Sequence, residues 1–217
     1  MKLQSTKNRV KAASNTKKYA FSFTTGSLLY QESIRFAALF VELGNWNRVR
    51  ELAIEQNLLQ TRTEKSSVRL CREICSRLKT LGEKELNLLV DGTVKDKGYI
   101  LWLALCRRYK FIRDFAVEVL SEKPLNLETE LQVEDFEVFF NQKAELHDEL
   151  ATLKPVTKVK GRRILFKMMR EADLLGTENK IYPAVPSASL INAVFLEKQK
   201  EALFFPLLES QLGVGNW

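Results

Sequence analysis

Apolar residues recur every three or four positions along most of the chain, which is the spacing of amphipathic helices. A first helix is predicted within residues 27–44, where Ser27 is a candidate N-cap and Gly44 a natural C-terminal stop. A second helix follows over residues 46–57 and a third over residues 61–81. No stretch alternates as the strands of a large sheet do, so the pattern predicts an all-α fold.

The same spacing continues through the second half of the chain, beyond a shorter fourth helix that Gly92 closes. Residues 96–123 are apolar enough to form a central buried helix or helix pair, which Pro124 ends. Residues 132–153 predict one or two short acidic helices. Residues 177–187 hold two prolines and several β-formers, the only plausible short strand or wing. We therefore predict a compact multi-helix globule with at most a short β-bridge or wing.

Composition divides the predicted chain into four parts. Residues 1–20 form a flexible basic tail, which contains no acid and lacks the apolar core of a signal peptide. Residues 21–92 form an N-terminal helical lobe, residues 93–153 hold the central apolar helices and the acidic helices, and residues 154–217 form a C-terminal helical lobe. Each of the two lobes carries one helix-turn-helix-like element with a basic helix.

The third helix, residues 61–81, has one apolar side and one basic side. Thr61 and Glu64 form a capping-box pattern, which places the first turn near Arg62. Because the preceding helix is joined to it by a short link, the layout is that of a helix-turn-helix whose second helix reads DNA. On a helical wheel Val68, Cys71, Ile74, Cys75, Leu78 and Leu81 cluster on one side, and Lys65, Arg69, Arg72, Ser76 and Lys79 on the other.

A second basic helix is predicted from about residue 157 to residue 175. Lys158 and Lys160 precede it, and the following residues 179–187 are a candidate wing. Lysine and arginine suit phosphates and guanine edges, although a basic helix side is also an ordinary solvated surface. Ile164, Leu165, Met168, Ala172 and Leu175 share one side of this helix, with Arg163, Lys167 and Arg170 across from them. The candidate DNA-binding residues are Arg62, Lys65, Arg69, Arg72, Lys79, Lys158, Lys160, Arg163, Lys167 and Arg170.

Charge is segregated along the chain, whose formal net charge is +7. Residues 112–153 carry eleven acids against three bases, whereas residues 154–170 carry seven bases and no acid. This predicts a basic face and an acidic face on one body. Cys71, Cys75 and Cys106 fit buried, reduced thiols in a cytoplasm, and no apolar run is long enough to cross a bilayer.

The residues that catalysis usually requires are scarce. The chain has no glycine-rich phosphate loop, and its single histidine, His147, excludes most histidine-dependent triads and histidine-rich metal sites. Carboxylates within residues 131–150 could hold Mg²⁺ in a nuclease, but their spacing follows a helix surface. We therefore predict a protein that is not an enzyme, with no catalytic residue, metal or cofactor.

Extended segments of the chain resemble the BrxA proteins of bacteriophage-exclusion (BREX) systems. The resemblance runs through FSFTTGSLLYQESIRFAALFVELGNWNRVRELAIEQNLLQTRTEKSSVRLCREICSRLKTL, LWLALCRRYKFIRDFAVEVL, DFEVFFNQKAELHDEL and RRILFKMMREADLL, roughly residues 20–205. It implies an all-α DNA-binding protein with helix-turn-helix elements and positive surfaces. It also implies work beside a DNA methyltransferase, an ATPase, a phosphatase-like protein and a protease-like protein. The implied contacts fall on the two basic helices, and no catalytic residue is implied.

Together these observations predict a non-enzymatic subunit of a phage-defence complex that binds double-stranded DNA mainly through phosphates. It is expected to be a cytoplasmic monomer without membrane contact, and other BREX components, such as the methyltransferase or the ATPase, are candidate partners. One alternative is a protein-interaction adaptor whose acidic face, residues 112–153, docks a partner. Another is an RNA-binding protein of the antitermination-factor type.

Overall fold

A computed structural model describes residues 19–208 of the chain. Within this part all regular structure is helical, as predicted, and no helix is both long and apolar enough to span a membrane. The α-helices are α1 (Tyr30–Leu43), α2 (Trp46–Glu55), α3 (Glu64–Leu78), α4 (Glu83–Asp91), α5 (Val94–Arg108), α6 (Lys110–Phe115), α7 (Glu122–Leu125), α8 (Val133–Leu146), α9 (Asp148–Ala151), α10 (Pro155–Glu171) and α11 (Ala188–Leu190). Wider π-helical turns follow α6 and α11, at Ala116–Leu120 and Ile191–Phe195, and 3₁₀ turns lie at Thr177–Asn179 and Gln199–Phe204.

The ends of α1 show one confirmed prediction and one correction. Gly44 closes the helix in the left-handed conformation, with φ 62°, and its N–H donates to the carbonyl of Phe40. The start lies at Tyr30, with Leu29 rather than Ser27 at the N-cap position. Ser27 lies in the segment before the helix, where its carbonyl accepts a 2.6 Å hydrogen bond from the Arg77 guanidinium.

The start of α3 lies two residues later than the capping pattern predicts. Thr63, not Thr61, is the N-cap, and its hydroxyl accepts the N–H of Ser66 at 3.2 Å. The N–H of Thr61 instead donates to the side chain of Asn57 at 3.1 Å, inside the turn after α2. Arg62 therefore belongs to this turn and not to the helix.

The central apolar segment, residues 94–125, is broken rather than continuous. Helix α5 is buried without interruption from Tyr99 to Cys106, and the chain turns at Tyr109 before α6 begins. Pro124 does not end this segment, because it lies in the first turn of the short α7. Proline is tolerated there, since the first N–H groups of a helix have no partner within it.

The predicted strand or wing is present only as isolated bridges among the described residues. Glu130 pairs with Lys180 and Leu175 with Ile181, each in antiparallel fashion. Pro183 follows soon after and has no N–H to donate to a ladder. This agrees with the prediction of at most a short β-bridge.

The helices of the three predicted parts that follow the tail share one hydrophobic core. The core also extends into the predicted tail, because Tyr19 is 1% exposed and stacks on the ring of His147. Residues 1–18, the remainder of that tail, lie outside the described residues. The three cysteines are buried as predicted, and burial raises the pKa of Cys75 to about 11, so its thiol stays protonated.

Candidate nucleic-acid interface

The four predicted bases of α3 are exposed, whereas Ser76, predicted on the same side, is half-buried. Thr63 caps this helix, and α2 and α5 pack against it, which fixes the side that faces solvent. Within residues 19–208 none of its predicted bases, and not Arg62 either, forms an ion pair. An unpaired exposed cation keeps its full attraction for a phosphate. This surface, called the α3 ridge below, consists of Arg62, Lys65, Arg69, Arg72 and Lys79.

A buried ionic network lies behind the α3 ridge and was missed from the sequence. The side chain of Arg77 is 3% exposed, and its Nε donates to Glu73 at 2.6 Å. Its other nitrogens donate to the carbonyls of Ser27 and Thr25 at 2.6 and 3.3 Å. The hydroxyl of Tyr109 also donates to Glu73. Burial and then the Glu73 carboxylate raise the pKa of Tyr109, so this hydroxyl keeps its proton.

Two further exposed arginines, Arg50 and Arg108, lie near α3, and both come from other helices. Arg108, at the end of α5, donates to the hydroxyl of Ser76 at 3.3 Å and lies 5.0 Å from the ring centre of Tyr109. Arg50, on α2, is close enough to lower the pKa of Cys71 against the larger effect of burial, which raises it. Only tertiary packing brings these two residues to α3, so helical periodicity contains no signal for them.

The α3 ridge surrounds a shallow depression with an apolar residue in it. Val68 is only half-buried, which corrects the prediction that it points inward with Cys71, Ile74 and Leu78, all fully buried. On a helix it lies about 60° from Lys65, nearer the basic side than its apolar character implies. The depression is lined by Lys65, Ser66, Val68, Arg69 and Arg72.

The second basic surface is on α10, and its bases are less free than those of α3. Lys167 lies 3.6 Å from Glu171, and the guanidinium of Arg170 donates to Asn179 at 2.5 Å. The exposed predicted bases of this helix are called the α10 surface below: Lys160, Arg163, Lys167 and Arg170.

Lys158 is set apart from the α10 surface by its contacts. The helix begins at Pro155, so Lys158 and Lys160 lie within it rather than before it. The ammonium of Lys158 contacts Glu137 at 2.6 Å and lies 4.5 Å from the ring centre of Phe140. The structure therefore places Lys158 against α8, and a phosphate would have to compete with this carboxylate.

The acidic segment, residues 112–153, is partly neutralised by bases that contact it. Glu137 forms ion pairs with both Arg162 and Lys158, and Glu118 forms an ion pair with Lys143 at 2.5 Å. A depression lies between α7 and α8, and in its lining Lys123 forms ion pairs with Glu128 at 2.5 Å and with Asp135 at 3.0 Å. The depression is lined mainly by Glu118, Glu122, Lys123, Glu128, Asp135 and Val138.

The segment of residues 25–28 connects the two basic helices. Arg77 of α3 donates to the carbonyl of Ser27 at 2.6 Å, and the N–H of Leu28 donates to Glu171 of α10 at 2.7 Å. Both α3 and α10 also pack against α5. The position of one basic helix relative to the other is therefore determined by hydrogen bonds and by the core.

Comparison with known proteins gives concordant matches. A protein-family model described as BrxA matches residues 17–198. The chain is 24% identical over 198 residues to the BREX protein BrxA of Escherichia coli O9:H4 (strain HS), which covers 91% of this chain and 89% of that protein. It is 24% identical over 157 residues to the BREX protein BrxA of Bacillus cereus (strain H3081.97), which covers 72% and 78%.

A solved structure has a similar fold. It is the crystal structure of an uncharacterized protein from Magnetospirillum magneticum, with a TM-score of 0.72 at 16% sequence identity. The superposition covers 89% of this chain and 100% of that chain. At this identity the similarity concerns the fold alone.

Proposed function

This chain belongs to the BrxA family of BREX proteins, and we propose that it is a non-enzymatic subunit that binds duplex DNA, mainly through phosphates. The α3 ridge is the principal contact surface in this proposal, and the α10 surface is the second. The proposed partners are duplex DNA and another BREX component, such as the methyltransferase or the ATPase. The protein would act as a cytoplasmic monomer.

The observation that carries the proposal is the set of unpaired bases on the α3 ridge. Five exposed cations lie on α3, at its C-cap residue and in the turn before it, while many of the other bases of the chain contact acids. A protein that neutralises phosphates gains free energy from the release of condensed counterions. Bases already paired within the protein gain less, because their own carboxylate competes.

A helix-turn-helix of α2 and α3 is part of this proposal, with a connection of eight residues, 56–63, that is longer than the short link predicted from the sequence. Asn57 and Gln60 both adopt positive φ in this turn, of 45° and 48°, and the chain reverses between two packed helices. In that motif the second helix enters the major groove and its N-terminal residues approach base edges. Lys65 and Arg69 lie in the first two turns of α3.

The buried ionisable groups support a structural role rather than catalysis. Arg107 donates to both oxygens of Glu85 at 2.6 Å and also binds Glu201. Burial alone would raise the pKa of Glu85, but the hydrogen bonds from Arg107 help to lower it below its usual value. The Glu85 carboxylate, with its partners, thus links α4, α5 and the C-terminal 3₁₀ turn. Because it is ionised and its oxygens are already hydrogen-bonded, it is poorly placed to exchange protons.

Protein-adaptor function is the second candidate, and the depression between α7 and α8 favours it. Its carboxylates lie beside Val138, an apolar side chain that is 57% exposed, and Leu127, which follows the lining residue Asn126 in sequence, is 91% exposed. Apolar residues exposed together with charge are typical of interaction sites. In this case DNA binding would be incidental to the docking of a BREX component.

A salt titration of binding separates these functions. Affinity is measured for a 24-base-pair DNA duplex, the corresponding single strand and an RNA duplex of the same sequence, at several salt concentrations. The proposal expects the DNA duplex to bind tightest, with log K falling linearly with log salt. Tighter binding of either RNA or single strands would favour the RNA-binding alternative. Absence of binding to all three would favour the adaptor.

A further inference from the structure

Val68 is a half-buried apolar residue inside a cationic surface. It occupies the depression of the α3 ridge with Lys65, Arg69 and Arg72. Lys65 precedes it by three residues and Arg72 follows it by four, so both flank it on the same helix surface. The core does not account for its position in the way it does for Cys71 and Ile74, which are 0% exposed.

This arrangement fits a base edge better than it fits a phosphate alone. Cations suffice to hold phosphates, and an apolar floor between them adds nothing to that contact. In the major groove, however, thymine presents a C5 methyl group, which apolar side chains recognise by contact. A methyl group entering the depression would meet the Val68 side chain while the surrounding cations reach the backbone on either side of the groove.

We infer that Val68 contacts the C5 methyl group of thymine in the major groove and gives this protein a preference for A·T-containing sites. The inference rests on the proposed function, because it requires α3 to lie in the groove. It goes beyond that function because it assigns a contact with a nucleobase to a surface whose other proposed contacts are with phosphates. Ser66 also lines the depression, and its hydroxyl accepts a hydrogen bond from the Thr63 hydroxyl at 2.9 Å.

The test compares duplexes that differ only in the methyl group. Affinity is measured for an alternating A·T duplex and for the same duplex with deoxyuridine in place of thymidine, so that every register offers the methyl group or lacks it. Burial of one methyl group predicts about fourfold tighter binding of the thymine duplex. As a converse, 5-methylcytosine in an alternating G·C duplex should increase affinity over cytosine.

Variants at Val68 assign the preference to this side chain. Val68→Ala, which keeps only one methyl group, should bind the two A·T duplexes with a smaller difference in affinity, whereas Val68→Ile, which keeps an apolar branched side chain, should retain the preference. Val41→Ala is the matched control, because Val41 is 51% exposed on α1 and lies outside the depression. It should behave like the parent protein.

The outcomes separate this inference from the proposed function. Equal binding of thymine and uracil duplexes by the parent protein would contradict the thymine contact and leave duplex binding established. A preference of undiminished size in Val68→Ala would assign methyl recognition to another residue and would also overturn the inference. Failure to bind any duplex at low salt would contradict both.

Discussion

At the scale of single residues, Arg77 shows how the α3 ridge is held in place. Its guanidinium is buried beneath the exposed bases and donates to Glu73 and to the carbonyls of Thr25 and Ser27. The hydroxyl of Tyr109 donates to the same Glu73 carboxylate. A buried charge is tolerated only when its hydrogen bonds are satisfied, and here both the cation and the carboxylate have partners. Arg77 is thus a positioning residue of the proposed interface and does not face DNA.

Replacing Arg77 with alanine should therefore destabilise the protein strongly. It would leave the 12% exposed Glu73 side chain without its cation and several carbonyls without a donor, which predicts a loss of about 3–5 kcal/mol. Arg69→Ala, on the exposed side of the same helix, is the matched control and should change stability by less than about 0.5 kcal/mol. Urea unfolding measures both. Similar small effects for the two variants would show that the buried network contributes little.

The Arg77 position also shows where sequence reasoning stops. Periodicity identified α3 and the burial of Cys71, Ile74 and Leu78, because apolar spacing encodes the core-facing side directly. It had no means of finding a buried arginine, since the partners are carbonyls about fifty residues away in sequence. Val68 is only half-buried, rather than buried with these three apolar residues, for a related reason. For a residue at the border between the two sides of a helical wheel, burial depends on the residues packed around it and not on its own apolar character.

At the scale of elements, the segment that leads into α1 is packed against α10 through an aromatic contact. Phe21 lies over Gly161, and a Cβ added at that glycine would come within 2.2 Å of the Phe21 ring. The ring also packs at 4.8 Å from Phe111 and 5.6 Å from Phe140, measured between ring centres, so it has little room to move. Gly161 is required for this close approach and not for a special backbone conformation. The sequence showed only a glycine that weakens a helix.

Gly161→Ala should therefore destabilise the protein although alanine is the better helix former. The clash should cost about 1–3 kcal/mol, against a gain in helix propensity of at most about 1 kcal/mol. A double-mutant cycle isolates the cause. In a Phe21→Ala background, where the ring is absent, Gly161→Ala should become neutral or stabilising. Equal effects of Gly161→Ala in both backgrounds, measured by thermal unfolding, would rule out the Phe21 contact as the cause.

At the scale of the whole molecule, ion pairing separates the bases into two groups. Lys143, Lys158 and Arg162 contact acids of the segment 112–153, which is therefore only partly an open acidic surface. Arg107 contacts Glu85 and Glu201, outside that segment. The bases of the α3 ridge have no such partners among residues 19–208. The segregation of charge was readable from the sequence. Which bases stay unpaired was not, because pairs such as Arg162 with Glu137 form between different helices.

The salt dependence of duplex binding by a ridge variant tests the central claim most directly. Replacing Lys65, Arg69 and Arg72 together with alanine should leave the fold intact and weaken duplex binding. The slope of log K against log salt should fall by roughly 0.9 for each phosphate that the variant no longer neutralises, or about 2.7 for three. A matched variant that replaces three exposed bases elsewhere, Lys84, Lys180 and Lys200, controls for net charge and should keep a slope close to that of the parent. A ridge variant with the affinity and slope of the parent protein would contradict the claim that α3 binds DNA.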